Sequence, residues 1–139
     1  MEQATNNGQR PAQAPAEVST TLRVAAWFVP IAIAVQAALA GPASYGAPKL
    51  FVAHGWIGSA TFLAAGLTLL LAFTGRQPGG VLLLALLVTA GGFAQIGLGY
   101  LAHRAGLAAA GAVHIPLGVL LLGLSLTVAL LLTVRAPRR

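Results

Sequence analysis

The sequence predicts an all-α fold: an integral membrane bundle of four helices, built from two repeated helix hairpins. Three observations carry that reading. Hydrophobic residues make up 58% of the 139 residues and charged residues only 7%, where a soluble domain carries about 25% charge. Past the N-terminal tail the charges stand singly at Arg23, Lys49, Arg76, Arg104 and Arg135, at intervals of 26, 27, 28 and 31 residues. Each interval is free of Asp, Glu, Lys and Arg, enough for one crossing of about 20 apolar residues plus a turn.

The elements follow in order. Residues 1–20 are polar and rich in Ala, Gln and Pro, and are expected to form a disordered cytoplasmic tail. The bundle is expected over 21–135, with helices near 23–41, 48–74, 80–102 and 107–134. Gly41-Pro42-Ala43-Ser44-Tyr45-Gly46-Ala47-Pro48 separates the first two, and Pro48 suits a first helical turn, where its missing N–H costs nothing. Gly75-Arg76-Gln77-Pro78-Gly79-Gly80 is an equally clear break, His103-Arg104-Ala105-Gly106 a weaker one. Pro30 and Pro116 fall inside apolar segments and predict kinks. Ala38-Leu39-Ala40 also ends an apolar run as a signal-peptide cleavage site does. That run exceeds a signal core, however, and the repeat described below needs the first helix.

Composition excludes several classes. A mean hydropathy of +0.85 leaves no water-facing surface for a soluble enzyme. The net charge is +6, but no basic stripe tracks phosphates, so no nucleic-acid partner is expected. Without cysteine there is no disulfide, Fe–S cluster or thiolate metal site. Arg10, Arg23, Arg76, Arg135, Arg138 and Arg139 share one side of the predicted topology, Lys49 and Arg104 the other. Six against two predicts a multi-pass protein of the plasma membrane with both termini cytoplasmic.

The two halves repeat. Gln36-Ala37-Ala38-Leu39-Ala40 matches Gln95-Ile96-Gly97-Leu98-Gly99, and His54-Gly55-Trp56-Ile57-Gly58 matches His114-Ile115-Pro116-Leu117-Gly118. Each half has a Gln near the end of one helix and His-x-x-x-Gly near the start of the next, with Gln-to-His separations of 18 and 19 residues. At 1.5 Å per residue, His54 lies about 9 Å into its helix and His114 about as far into its own. Two imidazoles and two amides then form one polar layer. On shared helix faces, Gly58, Thr61, Ala65, Thr68 and Ala72 follow His54; Gly91, Gly92 and Gly99 flank Gln95; and Gly118, Ser125 and Ala129 follow His114. Small residues there serve close helix packing or leave room for a flat ligand.

An ionisable residue inside a membrane segment marks a functional site, and two at matched depth predict bis-histidine ligation of one haem b by His54 and His114. Helix N-termini favour the neutral, ligating imidazole and anionic propionates. Lys49, Arg104 and His103 lie near that surface as propionate partners. Gln36 and Gln95 are expected to accept a ligand's second ring N–H or to bond a propionate. Gly58, Gly118, Gly91, Gly92 and Gly99 would leave room for the ring. Phe51, Trp56, Phe62, Phe93 and Tyr100 are candidates for lining it. His103 by itself reads as a solvated loop residue. Zinc needs about four ligands, and both acids, Glu2 and Glu17, lie in the tail; their absence from the spans also argues against a proton-coupled transporter.

With His on its second and fourth helices, 60 residues apart, residues 23–134 resemble one half of haem A synthase, which has two such units. They are also similar to small four-helix membrane proteins of high-GC bacteria with the same Gln and His pattern. The resemblance implies haem ligands at His54 and His114 but not the synthase's oxygenase chemistry. The synthase carries a carboxylate three residues before a ligand, where this chain has Phe51 and Gly111, and the loop cysteine pair of its bacterial relatives is missing. With both axial positions filled by protein, electron transfer is expected rather than catalysis, toward a redox partner, a quinone or a second protomer. The alternatives are a cofactor-free membrane subunit or scaffold whose His and Gln bond between helices, and a haem carrier or sensor.

Overall fold

The computed structural model describes residues 17–135 apart from Tyr45 and Pro48. Among them there are four helices and no strand: α1 (Thr20–Ser44), α2 (Lys49–Thr74), α3 (Gly79–His103) and α4 (Ala108–Val134). All four are long and apolar enough to cross a membrane. α1 packs on α2, α2 on α3, α3 on α4 and α4 on α1, while the diagonal pairs α1/α3 and α2/α4 make no backbone-level contact. The result is a closed square of antiparallel neighbours. The start of α1, the end of α4 and the α2–α3 turn share one end of it, the terminal end; the α1–α2 and α3–α4 turns share the other.

Several boundaries differ from those expected, each for a local reason. α1 starts at Thr20 rather than near 23, because Ser19 Oγ accepts the Leu22 N–H at 3.1 Å and caps it. The expected tail ends early: Val18 is buried in the core, and the carbonyl of Glu17 accepts a bond from Gln77 Nε2 at 3.3 Å. Residues 1–16 lie outside the described residues, as do Arg138 and Arg139. α1 also runs through Pro42 to Ser44. A proline in the last turn costs one helical bond, and the Pro42 carbonyl still accepts from Ala47 N at 3.2 Å.

Gly46 (φ +109°) and Gly106 (φ +65°) turn the two hairpins, which extends the 60-residue offset of the histidines to the turns themselves. Only glycine takes this left-handed backbone without penalty. Between the halves Arg76 does so with a side chain, at φ 50°.

The terminal half is sealed. α1 places Leu22, Ala26 and Val29 inside, α2 Thr61, Ala65, Thr68 and Ala72, and α4 Ser125, Val128 and Ala129. Its axial cavity measures only about 10 Å³, the threshold for one water. Trp27 Nε1 donates to Thr133 Oγ1 at 3.0 Å and ties α1 to α4 there.

The other half differs. No described residue is buried over 33–42, 49–60, 89–103 or 111–120. That open half carries the histidines.

Candidate functional site

His54 is the sixth residue of α2 and His114 the seventh of α4, so matched hairpins bring them to one level. Because α2 and α4 stand diagonally, both rings must point inward to meet, and they do. Their centroids are 6.2 Å apart with the planes at 54°. Both side chains are half-buried.

α1 fixes the ring of His54. Its Nδ1 lies 3.0 Å from the carbonyl oxygen of Gln36. A carbonyl only accepts, so Nδ1 carries the proton and Nε2 keeps its lone pair. In the second hairpin α3 holds the backbone instead: Gln95 Nε2 donates to the His114 carbonyl at 2.9 Å. The His114 ring meets the equivalent carbonyl, that of Gln95, without the geometry of a hydrogen bond, and its Nδ1 is buried without a partner, as is Gln95 Oε1.

Gln36 thus accepts a ring N–H as expected, through its backbone carbonyl, while the side-chain amides do other work. Gln36 Nε2 donates to Thr61 Oγ1 at 3.0 Å, one helix turn below Gly58; neither amide bonds an imidazole nitrogen. A Cβ on Gly58 would lie 2.9 Å from Gln36 Oε1, and one on Gly118 2.9 Å from Gln95 Nε2. These two glycines make room for amides. Gly99 backs the His114 ring, with a Cβ position 3.2 Å from Cε1. Gly91 and Gly92 face Leu121 and Phe62 instead, so they serve helix packing rather than the space beside the rings. The repeat trades volume at this point: Leu121 stands where the first half has Thr61, and it needs Gly91 opposite.

The expected aromatic lining is largely absent. Trp56, Phe93 and Tyr100 point outward, 74%, 69% and 65% exposed. Phe62 is half-buried and packs edgewise on Phe93, with centroids 6.1 Å apart. Phe51 stacks on His103 at 4.5 Å and 23°. His103 is thus the last residue of α3 and clasps α2, rather than lying free in a loop. Lys49 and Arg104 are exposed at the same end. Thr61 and His103 are the interactions that sequence reasoning missed. Thr61 lay on the face predicted to turn inward but signalled no partner, since a hydroxyl in a helix usually bonds its own backbone, as Thr61 also does to Ile57 O at 2.7 Å.

Two imidazoles bound on opposite sides of one metal ion have centroids about 6.3 Å apart, from metal–nitrogen bonds of about 2.0–2.1 Å and about 1.1 Å from nitrogen to ring centre. The 6.2 Å observed matches that separation, and such ligation places no constraint on the 54° angle between the planes. Among the described residues no three His, Cys, Asp or Glu gather as a metal cluster. The donor set is a pair of imidazoles, which fits a metal whose remaining positions come from its own macrocycle. Searches against known proteins find no matching family model, no similar curated protein and no similar solved structure.

Proposed function

We propose that the chain is a multi-pass membrane protein holding one haem b between His54 and His114, and that it serves in electron transfer. The supporting observation is the 6.2 Å approach of two imidazoles from diagonal helices. Bound there, haem b supplies a reversible one-electron couple. His54 meets it with the Nε2 lone pair that its bond to Gln36 O leaves free. The N-terminal ends of α2 and α4 suit anionic propionates, and Lys49 and Arg104 add positive charge at that end. With His54 and His114 both holding the haem, no position would stand permanently open, which favours electron transfer over oxygen chemistry. The histidines lie nearer one end of the bundle, so a redox partner, a quinone or a second protomer completes any path across a membrane. The distribution of Arg and Lys supports cytoplasmic termini in the plasma membrane.

A cofactor-free scaffold is the second reading. The interhelical bonds of His54 to Gln36 O, Gln36 to Thr61 and Gln95 to His114 O favour it. An absorption spectrum of the chain purified from haem-sufficient cells separates the two. The cytochrome is red, with a Soret band and a sharp reduced α-band, and His54→Ala or His114→Ala loses the six-coordinate spectrum. A colourless, folded protein leaves the scaffold.

A further inference from the structure

We infer that the two imidazoles are unequal: His54 is a permanent ligand, and His114 an exchangeable one whose place is open to a small neutral diatomic of the carbon monoxide class. This rests on the haem reading above. Three differences between otherwise matched hairpins support it. The His54 ring is pinned through Nδ1 to Gln36 O at 3.0 Å, whereas α3 grips His114 by its backbone carbonyl and leaves Nδ1 buried and unbonded. A carbonyl behind a ligating imidazole fixes its orientation and raises its basicity; the Gln95 carbonyl stands beside the His114 ring without closing that bond. Gly99 presents no side chain against the His114 ring, so the ring has a bare helix surface to turn along. Finally, Pro116 stands two residues past His114 where α2 has Trp56. Proline has no N–H, so the helical bond to the Ala112 carbonyl is missing and the turn carrying His114 is softened.

Exchange at this position is a ligand substitution. The nitrogen of His114 would leave with its lone pair and the diatomic would donate its own, so that no electron or proton is transferred. Neutrality follows from the surroundings. The groups placed against the ring are the Gln95 backbone, Gly99 and the His54 imidazole, none of which compensates a buried anion.

The test uses the full chain, haem-loaded and reduced in detergent, mixed with carbon monoxide. Binding is expected, at a rate that saturates with gas concentration because departure of His114 becomes limiting. Pro116→Ala lowers that limiting rate. His114→Ala keeps its haem and binds the gas at a rate proportional to concentration, while His54→Ala loses more haem affinity than the roughly 10–100-fold that removing an outer-shell partner costs. In the haem-free chain, nitrogen NMR is expected to show a slowly exchanging ring N–H on His54 and a fast one on His114. A haem-loaded protein that refuses carbon monoxide overturns this inference alone. So do equal haem losses in the two variants, or equally slow ring protons in the haem-free chain. A chain that takes up no haem removes the parent reading and this one together.

Discussion

Gln36 reaches two residues of α2 at once: its backbone carbonyl takes the His54 Nδ1–H at 3.0 Å, and its side-chain amide donates to Thr61 Oγ1, also at 3.0 Å. One residue of α1 thereby sets the rotation of α2, since His54 and Thr61 lie two helical turns apart on a single face. Gln95 makes one such bond to α4, from its side-chain amide to the His114 carbonyl.

The Gln36–Thr61 bond predicts a measurable coupling. Combining Gln36→Leu with Thr61→Val in a double-mutant cycle, read by unfolding in mixed micelles, is expected to give about 0.6 kcal/mol, with about 1.7 kcal/mol as the upper limit for such bonds between membrane helices. Zero coupling sinks the assignment of this bond.

Adding methyl groups at three glycines is expected to produce a graded series. In Gly91→Ala the new carbon would meet Leu121 Cδ2 at 2.5 Å, and Leu121 is 4% exposed. Overpacking of this sort costs about 1–3 kcal/mol. Gly58→Ala and Gly118→Ala meet only the free ends of amides, which swing aside and lose about one hydrogen bond, about 0.5–1.5 kcal/mol. Thermal unfolding in detergent ranks the three, and Gly58→Ala as the most damaging contradicts the packing described.

At the turn between halves, Arg76 holds a left-handed backbone, φ 50°. A side chain there costs about 1–2 kcal/mol, partly offset in a glycine variant by its greater unfolded-state freedom. Arg76→Gly is therefore expected to raise stability by about 0.5–1 kcal/mol, seen as a higher midpoint of thermal unfolding. An unchanged or lower midpoint counts against the strain.

Gly99→Ala places its methyl carbon 3.2 Å from His114 Cε1, inside ordinary contact distance. The His114 ring is expected to turn, while His54, held by Gln36, stays. Imidazole carbon-proton NMR shifts should change for His114 and not for His54; movement of both at once means the rings are not independently held.

Much of this was legible in the residues. The faces that turn inward on α2 were set by three- and four-residue spacing, and Thr61, Ala65, Thr68 and Ala72 are buried as that spacing requires. What spacing could not show is which atom of a polar residue bonds to which partner. Gln36 does accept the ring N–H of His54, but through its backbone carbonyl; the side-chain amides of Gln36 and Gln95, with several torsions each, settle against glycines on Thr61 and a backbone carbonyl. Trp56 stands two residues from His54 and Phe93 two from Gln95, yet both point away, as Tyr100 does, because one residue step along a helix rotates a side chain by about 100°.

Composition and the intervals between charges were enough to determine four apolar helices, since an uncharged stretch of that length has few other stable forms. The repeat determined that His54 and His114 sit at one depth, because equal counts along parallel helices give equal rise. The tertiary structure decided that the two rings meet, by placing α2 and α4 on a diagonal. It also decided that they are held unequally, since a hydrogen bond needs distance and angle together and closely similar sequences closed it in one hairpin only.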